Sequence, residues 1–277
     1  MKHIESEWIS NDQVKFFVQE WLPDGEIIAS LTLVHGIGEH SGRYQSMAEY
    51  YCNNGISVLS YDQCGHGKTE GKRGHIRSYD IAAEDIKHFV EETNTRHPKI
   101  PLFLYGHSLG GAMAFYYCLT HKPNINGAVI SAPGLAPGTP FPPLIMFLAK
   151  IMAKLTPSVT LSNGLERKYL SRDPNVEIRY SSDPLVHDQV STSLGMDLVT
   201  KGAWMVQNAA TLSIPVLLMY GTDDHLVNLP LIHEFVNKAG SSLTVKEWDG
   251  FYHEIHNEPE KELVYNYAIN WIKSKLT

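Results

Sequence analysis

Basic stripes, paired cysteines, metal-binding motifs and long apolar runs are all missing from this 277-residue chain. The formal charge is −7 with acids and bases interspersed, so no electrostatic footprint for nucleic acid exists and none is expected as a partner. Cys52, Cys64 and Cys118 are odd in number, far apart and without C-x-x-C spacing. That excludes a disulfide framework and points to free thiols in a reducing compartment. Met1-Lys-His-Ile-Glu-Ser-Glu is polar and lacks the apolar core of a signal peptide. No stretch approaches the ~18 consecutive apolar residues of a membrane span. With no H-E-x-x-H either, neither metal nor cofactor is expected. A soluble, cytoplasmic protein is predicted, with room for peripheral membrane contact through one segment described below.

What is present is alternation. Leu31–Val34, Ile56–Tyr61, Leu102–Tyr105, Ala128–Ser131, Val216–Tyr220 and Leu243–Trp248 are short apolar runs bounded by Gly, Pro or Asp, which reads as strands. Several are continuously apolar, as suits parallel strands covered on both faces. Between them lie stripes at helical spacing: Tyr44, Met47, Ala48, Tyr51 and Cys52; Ala82, Ile86, Phe89, Val90 and Thr93; Ile232, Phe235, Val236 and Ala239; and Leu263, Val264, Tyr267, Ala268, Trp271 and Ile272. Such alternation predicts an α/β fold with right-handed crossovers, a mostly parallel sheet and helices on both faces. Glu7–Ser10 and Val14–Trp21, linked through Asn11-Asp12, read as an antiparallel hairpin ahead of it. From about Pro133 to Thr211 no strand run is legible. Residues 133–211 are therefore expected to be a helical cap inserted into a core of 1–132 and 212–277.

The chemistry concentrates in Gly106-His107-Ser108-Leu109-Gly110, which follows the strand Leu102–Tyr105 and precedes a helical stretch, Ala112–Leu119. In that context G-x-S-x-G is a nucleophile elbow, with the flanking glycines expected to permit the tight turn. The Leu109 N–H then faces the developing oxyanion at a helix N-terminus. A serine hydroxyl needs a base, and the base needs an orienting acid. In this fold they follow in the order Ser, Asp or Glu, His, on loops after late strands. Gly221-Thr-Asp-Asp-His and Asp249-Gly-Phe-Tyr-His253 sit there. Asp224 is preferred over the adjacent Asp223, which could instead cap the helix near Pro230; His253 is preferred over His256 because of the Gly250-x-x-His turn. The remaining histidines read mostly as surface or loop residues. The second oxyanion donor is expected at Ile37, within His35-Gly-Ile-Gly-Glu-His40. Asp62-Gln-Cys-Gly-His-Gly-Lys-Thr reads as a structural turn.

The chain resembles the monoacylglycerol lipase and lysophospholipase branch of the α/β-hydrolases. The resemblance runs through His35-Gly-Ile-Gly-Glu-His-Ser-Gly-Arg-Tyr44, Asp62-x-x-Gly-His-Gly, Gly106-His-Ser-Leu-Gly-Gly111, Tyr180-Ser-Ser-Asp-Pro184 and Asp249-Gly-x-Tyr-His253. It implies a triad of Ser108, Asp224 and His253, oxyanion N–H groups from Ile37 and Leu109, and a glycerol pocket lined by Glu39, Arg43, Tyr180 and His256. The substrate implied is a monoacylglycerol, cleaved through an acyl-enzyme. A lysophospholipase, a broad carboxylesterase and an aminopeptidase-like amidase are the alternatives, and a non-catalytic lipid-binding protein is a rival from another class. Glu39 and Arg43 also have a plainer reading as a local i,i+4 ion pair, and Tyr180 one as a packing residue.

Within the expected cap, Leu144, Phe147, Leu148, Ile151, Met152 and Leu155 form an apolar stripe that Ile145, Met146 and Ala149 widen to most of the circumference. A globular helix usually needs one apolar face. Two expectations compete: a helix over 144–155 buried on two sides, or one that lines an acyl tunnel and makes transient membrane-surface contact.

Overall fold

The computed structural model of the protein describes residues 1–10, 12–138 and 142–276. Its strands are β1 (Lys2–Ile9), β2 (Lys15–Leu22), β3 (Ala29–Val34), β4 (Ile56–Tyr61), β5 (Leu102–His107), β6 (Gly127–Ser131), β7 (Thr160–Ser162), β8 (Gln189–Ser191), β9 (Val216–Gly221) and β10 (Leu243–Trp248). Eight of them form one sheet in the order β1-β2-β4-β3-β5-β6-β9-β10. The first pair is an antiparallel hairpin, β2 runs against β4, and the pairs from β4 across to β10 are parallel. β3, β4, β5, β6 and β9 are buried at every residue, which is why their sequences are apolar runs rather than alternations. β1 begins earlier than its sequence suggested. Lys2–Ser6 alternates polar side chains along a sheet edge, a pattern that protects the edge but carries no apolar signal. Asn11, half of the expected link, lies outside the described residues.

The helices are α1 (Gln45–Cys52), α2 (Tyr79–Arg96), α3 (Ser108–His121), α4 (Pro143–Leu155), α5 (Pro174–Ser182), α6 (Thr192–Asn208), α7 (Leu229–Lys238) and α8 (Lys261–Lys273). α2 starts where the Ser78 hydroxyl accepts the Ile81 N–H, and it buries the face its spacing announced. α7 is capped by Asn228, whose side chain accepts the Leu231 N–H. The role foreseen for Asp223 therefore belongs to Asn228, and Asp223 stays in the exposed turn before it. One face of the sheet is packed through Phe89, Phe115, Met205 and Phe235 of α2, α3, α6 and α7. The other is packed through Tyr51, Ile269 and Trp271 of α1 and α8.

Between β6 and β9 the chain leaves the sheet. The absence of strands expected there is corrected by β7 and β8, which pair antiparallel. Each is three residues long with two of the three polar, too short for any periodicity to register. α6 packs against α3 and α7 and sends Leu194, Met205 and Val206 into the core. The expected boundaries at 133 and 211 thus enclose one helix of the layer that covers the sheet. Part of the Pro-rich stretch 133–143 lies outside the described residues.

Candidate active site

Strand register brings four loops to one edge. Val34, Gly106 and Ile130 share a row, and Trp248 pairs with Gly221, so the segments after β3, β5, β9 and β10 leave the sheet together. Ser108 is the first residue of α3, at φ +54°. That left-handed conformation is uncommon outside glycine and is one that tightly held sites retain. The flanking glycines permit the tight turn, as expected, and they do so by leaving out a Cβ. A Cβ on Gly106 would lie 2.6 Å from the Gly110 carbonyl, and one on Gly110 2.3 Å from the His35 carbonyl. Ser108 takes the strain, and the glycines make room. The Leu109 N–H is a first-turn donor that no carbonyl of its own helix can reach.

His253 Nε2 lies 2.9 Å from Ser108 Oγ, and Nδ1 lies 2.7 Å from Asp224 Oδ2. The three side chains are buried. Asp224 Oδ1 accepts the N–H groups of Leu226 at 2.8 Å and Val227 at 3.3 Å, which fixes the carboxylate plane. Oδ2 can only accept, so Nδ1 donates and Nε2 presents a lone pair to the serine hydroxyl. Burial works against the imidazolium, but the charge and hydrogen bond of Asp224 outweigh it and raise the His253 pKa above its ordinary value. Asp223 does not reach this site; its carboxylate is 3.9 Å from His225 Nε2.

The loop after β3 is held from below. Asp62 accepts the Ser41 N–H and the Lys68 N–H, both at 2.8 Å, while the Gln63 N–H donates to His35 Nε2 at 2.9 Å. His35 thus carries its proton on Nδ1, bonded to the Gly36 carbonyl at 2.8 Å, and burial keeps the ring neutral. The Asp62 turn is structural, as expected. Most other histidines lie at the surface or in loops, as expected, but His35 and His66 in loops and His107 at the end of β5 are buried. A histidine that stays neutral and pairs with backbone or hydroxyl groups fits a core position, and nothing in one sequence separates it from a surface one. His107 packs on both His253 and His256, at ring-centroid distances of 4.8 and 4.6 Å.

Glu39 is an acceptor hub. Oε1 takes the Gly36 N–H at 2.6 Å and the Tyr44 hydroxyl at 2.7 Å, and Oε2 takes Arg43. Arg43 also donates to both carboxylate oxygens of Glu254, at 2.7 and 2.8 Å, and its guanidinium lies 4.7 Å from the Tyr180 ring centroid. The local ion pair is therefore real, and it is one part of a larger buried network. The space over Ser108 is partly open and measures about 10 Å³. Glu39 and Tyr180 line it together with Ile37, Leu165, Leu170 and Glu254. Arg43 and His256, expected with Glu39 and Tyr180 in a glycerol pocket, do not line this space. His256 is stacked 4.9 Å from Tyr44, with both ring nitrogens unpartnered and its pKa pushed down to about 4 by burial. A groove of about 640 Å³ near Trp8, Arg77, Asp85 and Tyr116 shares none of these residues.

The segment between β6 and β9 is stitched to these loops. The His253 and Glu254 N–H groups donate to the carbonyls of Tyr169 (3.3 Å) and Leu170 (2.7 Å). The His187 N–H donates to the Gly38 carbonyl at 2.9 Å, and His40 Nε2 meets Asp183 Oδ2 at 2.9 Å. Glu258, fully buried, accepts from the Tyr252 N–H at 2.6 Å and from Arg172 N and Nε at 3.2 and 3.0 Å. Glu254 and Glu258 escaped the sequence analysis. Their one available signal is an acidic residue on either side of the apolar Ile255 in His253-Glu-Ile-His-Asn-Glu258.

On α4, Leu144, Ile145, Phe147, Leu148, Ile151 and Leu155 are exposed, while Met146, Ala149 and Met152 are half-buried. A helix buried on two sides is thereby excluded. α4 does not line the space over Ser108, whose apolar residues are Ile37, Leu165 and Leu170. Among the described residues no helix is long and apolar enough to cross a membrane, and no cluster of three His, Cys, Asp or Glu is placed to hold a metal ion.

Comparison with known proteins places this geometry in a family. A profile described as serine aminopeptidase, S33, matches residues 25–260. Monoacylglycerol lipase of Mycolicibacterium smegmatis is 33% identical over 265 residues, covering 95% of this chain and 94% of that protein. Phospholipase YtpA of Bacillus subtilis is 31% identical over 87% of this chain and 93% of its own. An uncharacterized abhydrolase domain-containing protein of Dictyostelium discoideum is 31% identical over 98% of this chain, which spans 29% of that longer protein. The crystal structure of Paleococcus ferrophilus monoacylglycerol lipase superposes with a TM-score of 0.86 at 36% identity, covering 94% of this chain and 99% of that one. The profile and the M. smegmatis relative each span nearly the whole chain, and the chain belongs to the serine aminopeptidase S33 family of α/β-hydrolases.

Proposed function

We propose that this chain hydrolyses the ester bond of monoacylglycerols, with Ser108, His253 and Asp224 as its catalytic triad. The observation that carries the reading is the His253 ring, within hydrogen-bond reach of Ser108 on one side and Asp224 on the other. Ser108 Oγ attacks the ester carbonyl as His253 Nε2 takes its proton, and Asp224 steadies the imidazolium. The N–H groups of Ile37 and Leu109 receive the oxyanion. Glycerol leaves with the proton returned by His253, and water then releases the fatty acid by the same steps.

Glu39 and Tyr180 offer the glycerol hydroxyls an acceptor and a donor. Arg43 and His256 act from behind them. The wall disfavours an anionic head group, because Glu39 and Glu254 line it and the guanidinium between them is already neutralised. That argues against a lysophospholipid, although a relative is named phospholipase. We assign residues 133–211 the part of a cap over the site. The exposed apolar residues of α4 are its membrane-surface contact, and the helix is too short to do more than lie in the interface.

The test is a panel of monoacylglycerols, lysophospholipids, short esters and amino-acid amides compared by kcat/KM, with Ser108→Ala as control. Monoacylglycerols should lead, and the alanine variant should lose roughly 10⁴- to 10⁶-fold in kcat. A variant retaining a tenth of the activity refutes the triad, and amides leading the panel refutes the substrate class.

A further inference from the structure

Arg43 is enclosed by two buried carboxylates that belong to different loops. Glu254 immediately follows His253, and Glu39 holds the N–H of Gly36, the residue before Ile37. One ionic bridge therefore ties the loop after β3 to the loop after β10. It begins one peptide from the proposed oxyanion donor and ends one peptide from the proposed base. We infer that Glu254 is a positioning residue which, through Arg43 and Glu39, holds the His253 loop and the Ile37 peptide in mutual register. The inference rests on the function proposed above.

Three features argue for position rather than simple cohesion. Burying three charges is a poor way to hold two loops, since apolar side chains of like volume stabilise as well or better. A guanidinium set bidentate on a carboxylate fixes direction as well as distance, whereas apolar contact fixes neither. The bridge also carries charge to the base. The charged groups facing His253 are Asp224 from the β9 loop, Glu254 from its own loop, and Glu39 with Arg43 from the β3 loop; His107 of β5 and His256 sit beside it with pKa values lowered by burial. Two carboxylates around one guanidinium leave one net negative charge near the ring. Burial opposes the ionisation of Glu254, but Arg43 prevails and holds it below the usual carboxylate range.

The experiment is Glu254→Gln, assayed on a monoacylglycerol and on p-nitrophenyl butyrate, which has no glycerol. The pH profile of kcat/KM and the rate of Ser108 labelling by a fluorophosphonate complete the set. With the two loops out of register, kcat should fall about 10- to 100-fold on both esters while KM stays within about twofold. Labelling should slow in parallel. Loss of a negative charge eases deprotonation of the imidazolium, so the acid limb should move to lower pH. A packing role alone lowers thermal stability and leaves kcat and the labelling rate of the folded variant near wild type. A loss confined to the monoacylglycerol would make Glu254 a substrate contact and overturn the inference, as would unchanged kinetics on both esters. Arg43→Lys keeps the charge and gives up the fork, which guards against an unfolded amide variant: kcat should fall on both esters with the limb unmoved, and wild-type kinetics there also overturns it. If the wild-type chain hydrolyses neither ester, the proposed function fails, and the labelling rates still read the positioning of Ser108.

Discussion

Replacing Asp224 by Asn changes one atom and should disable the site through the tautomer of His253. The Leu226 and Val227 N–H groups both point at Oδ1, so an amide there must present its oxygen to them. Its NH₂ then occupies the place of Oδ2, 2.7 Å from His253 Nδ1. A donor at that point forces Nδ1 to accept, which moves the ring proton to Nε2 and aims it at Ser108. The imidazole can no longer take the serine proton. Flipping the amide leaves two backbone N–H groups facing a donor, at about 1–3 kcal/mol each. The same substitution in a comparable triad lowers kcat about 10⁴-fold, roughly 5 kcal/mol of barrier at 1.36 kcal/mol per tenfold.

The assay is kcat on p-nitrophenyl butyrate at neutral pH, with circular dichroism to establish the fold and Asp223→Asn as a matched control near wild-type activity. The pH profile adds a sign. The neutral ring is the working form, and Asp224 helps it keep a proton. In the wild type the acid limb of kcat/KM should therefore lie above the ordinary histidine value. In the variant any residual limb should lie lower. A folded Asp224→Asn protein with more than about a tenth of wild-type kcat, or one impaired only in KM, refutes the tautomer argument.

Two further outcomes follow from the surroundings of the site. Glu258→Ala strips a buried acceptor from the Tyr252 N–H and from Arg172. By the usual cost of breaking a buried ion pair it should lower stability by about 3–5 kcal/mol, read as an earlier denaturant midpoint; an unmoved midpoint denies it that structural weight. Ile145→Glu with Phe147→Glu places two charges on the exposed apolar face of α4. Binding to phospholipid vesicles should weaken several-fold while p-nitrophenyl acetate turnover stays level, and unchanged vesicle binding removes the membrane role.

Much of this molecule is legible in its sequence because parallel strands buried on both faces must be apolar throughout. Ile56–Tyr61 was bounded to the residue on that signal, and so was the half-exposed edge strand Leu243–Trp248 on weaker apolarity; the loops that follow Val216–Tyr220 and Leu243–Trp248 were picked out from strand order. Ser108, Asp224 and His253 were legible because an elbow motif and chain order confine them to a few positions. The rest depends on partners far away in the chain. Glu254 and Arg43 are 211 residues apart, and neither carries a local mark of burial. His35 and His256 look like any polar loop residue until the fold closes over them. β7 and β8 pair across a span in which neither has enough residues to show a period.

The hydrogen bonds from His187 to Gly38 and from Glu254 to Leu170 deserve a last consequence. They tie the segment between β6 and β9 to the loop after β3 and the loop after β10, so displacing that segment pulls on both loops at once. A variant selected for a wider mouth at this seam should therefore give up turnover in the same step.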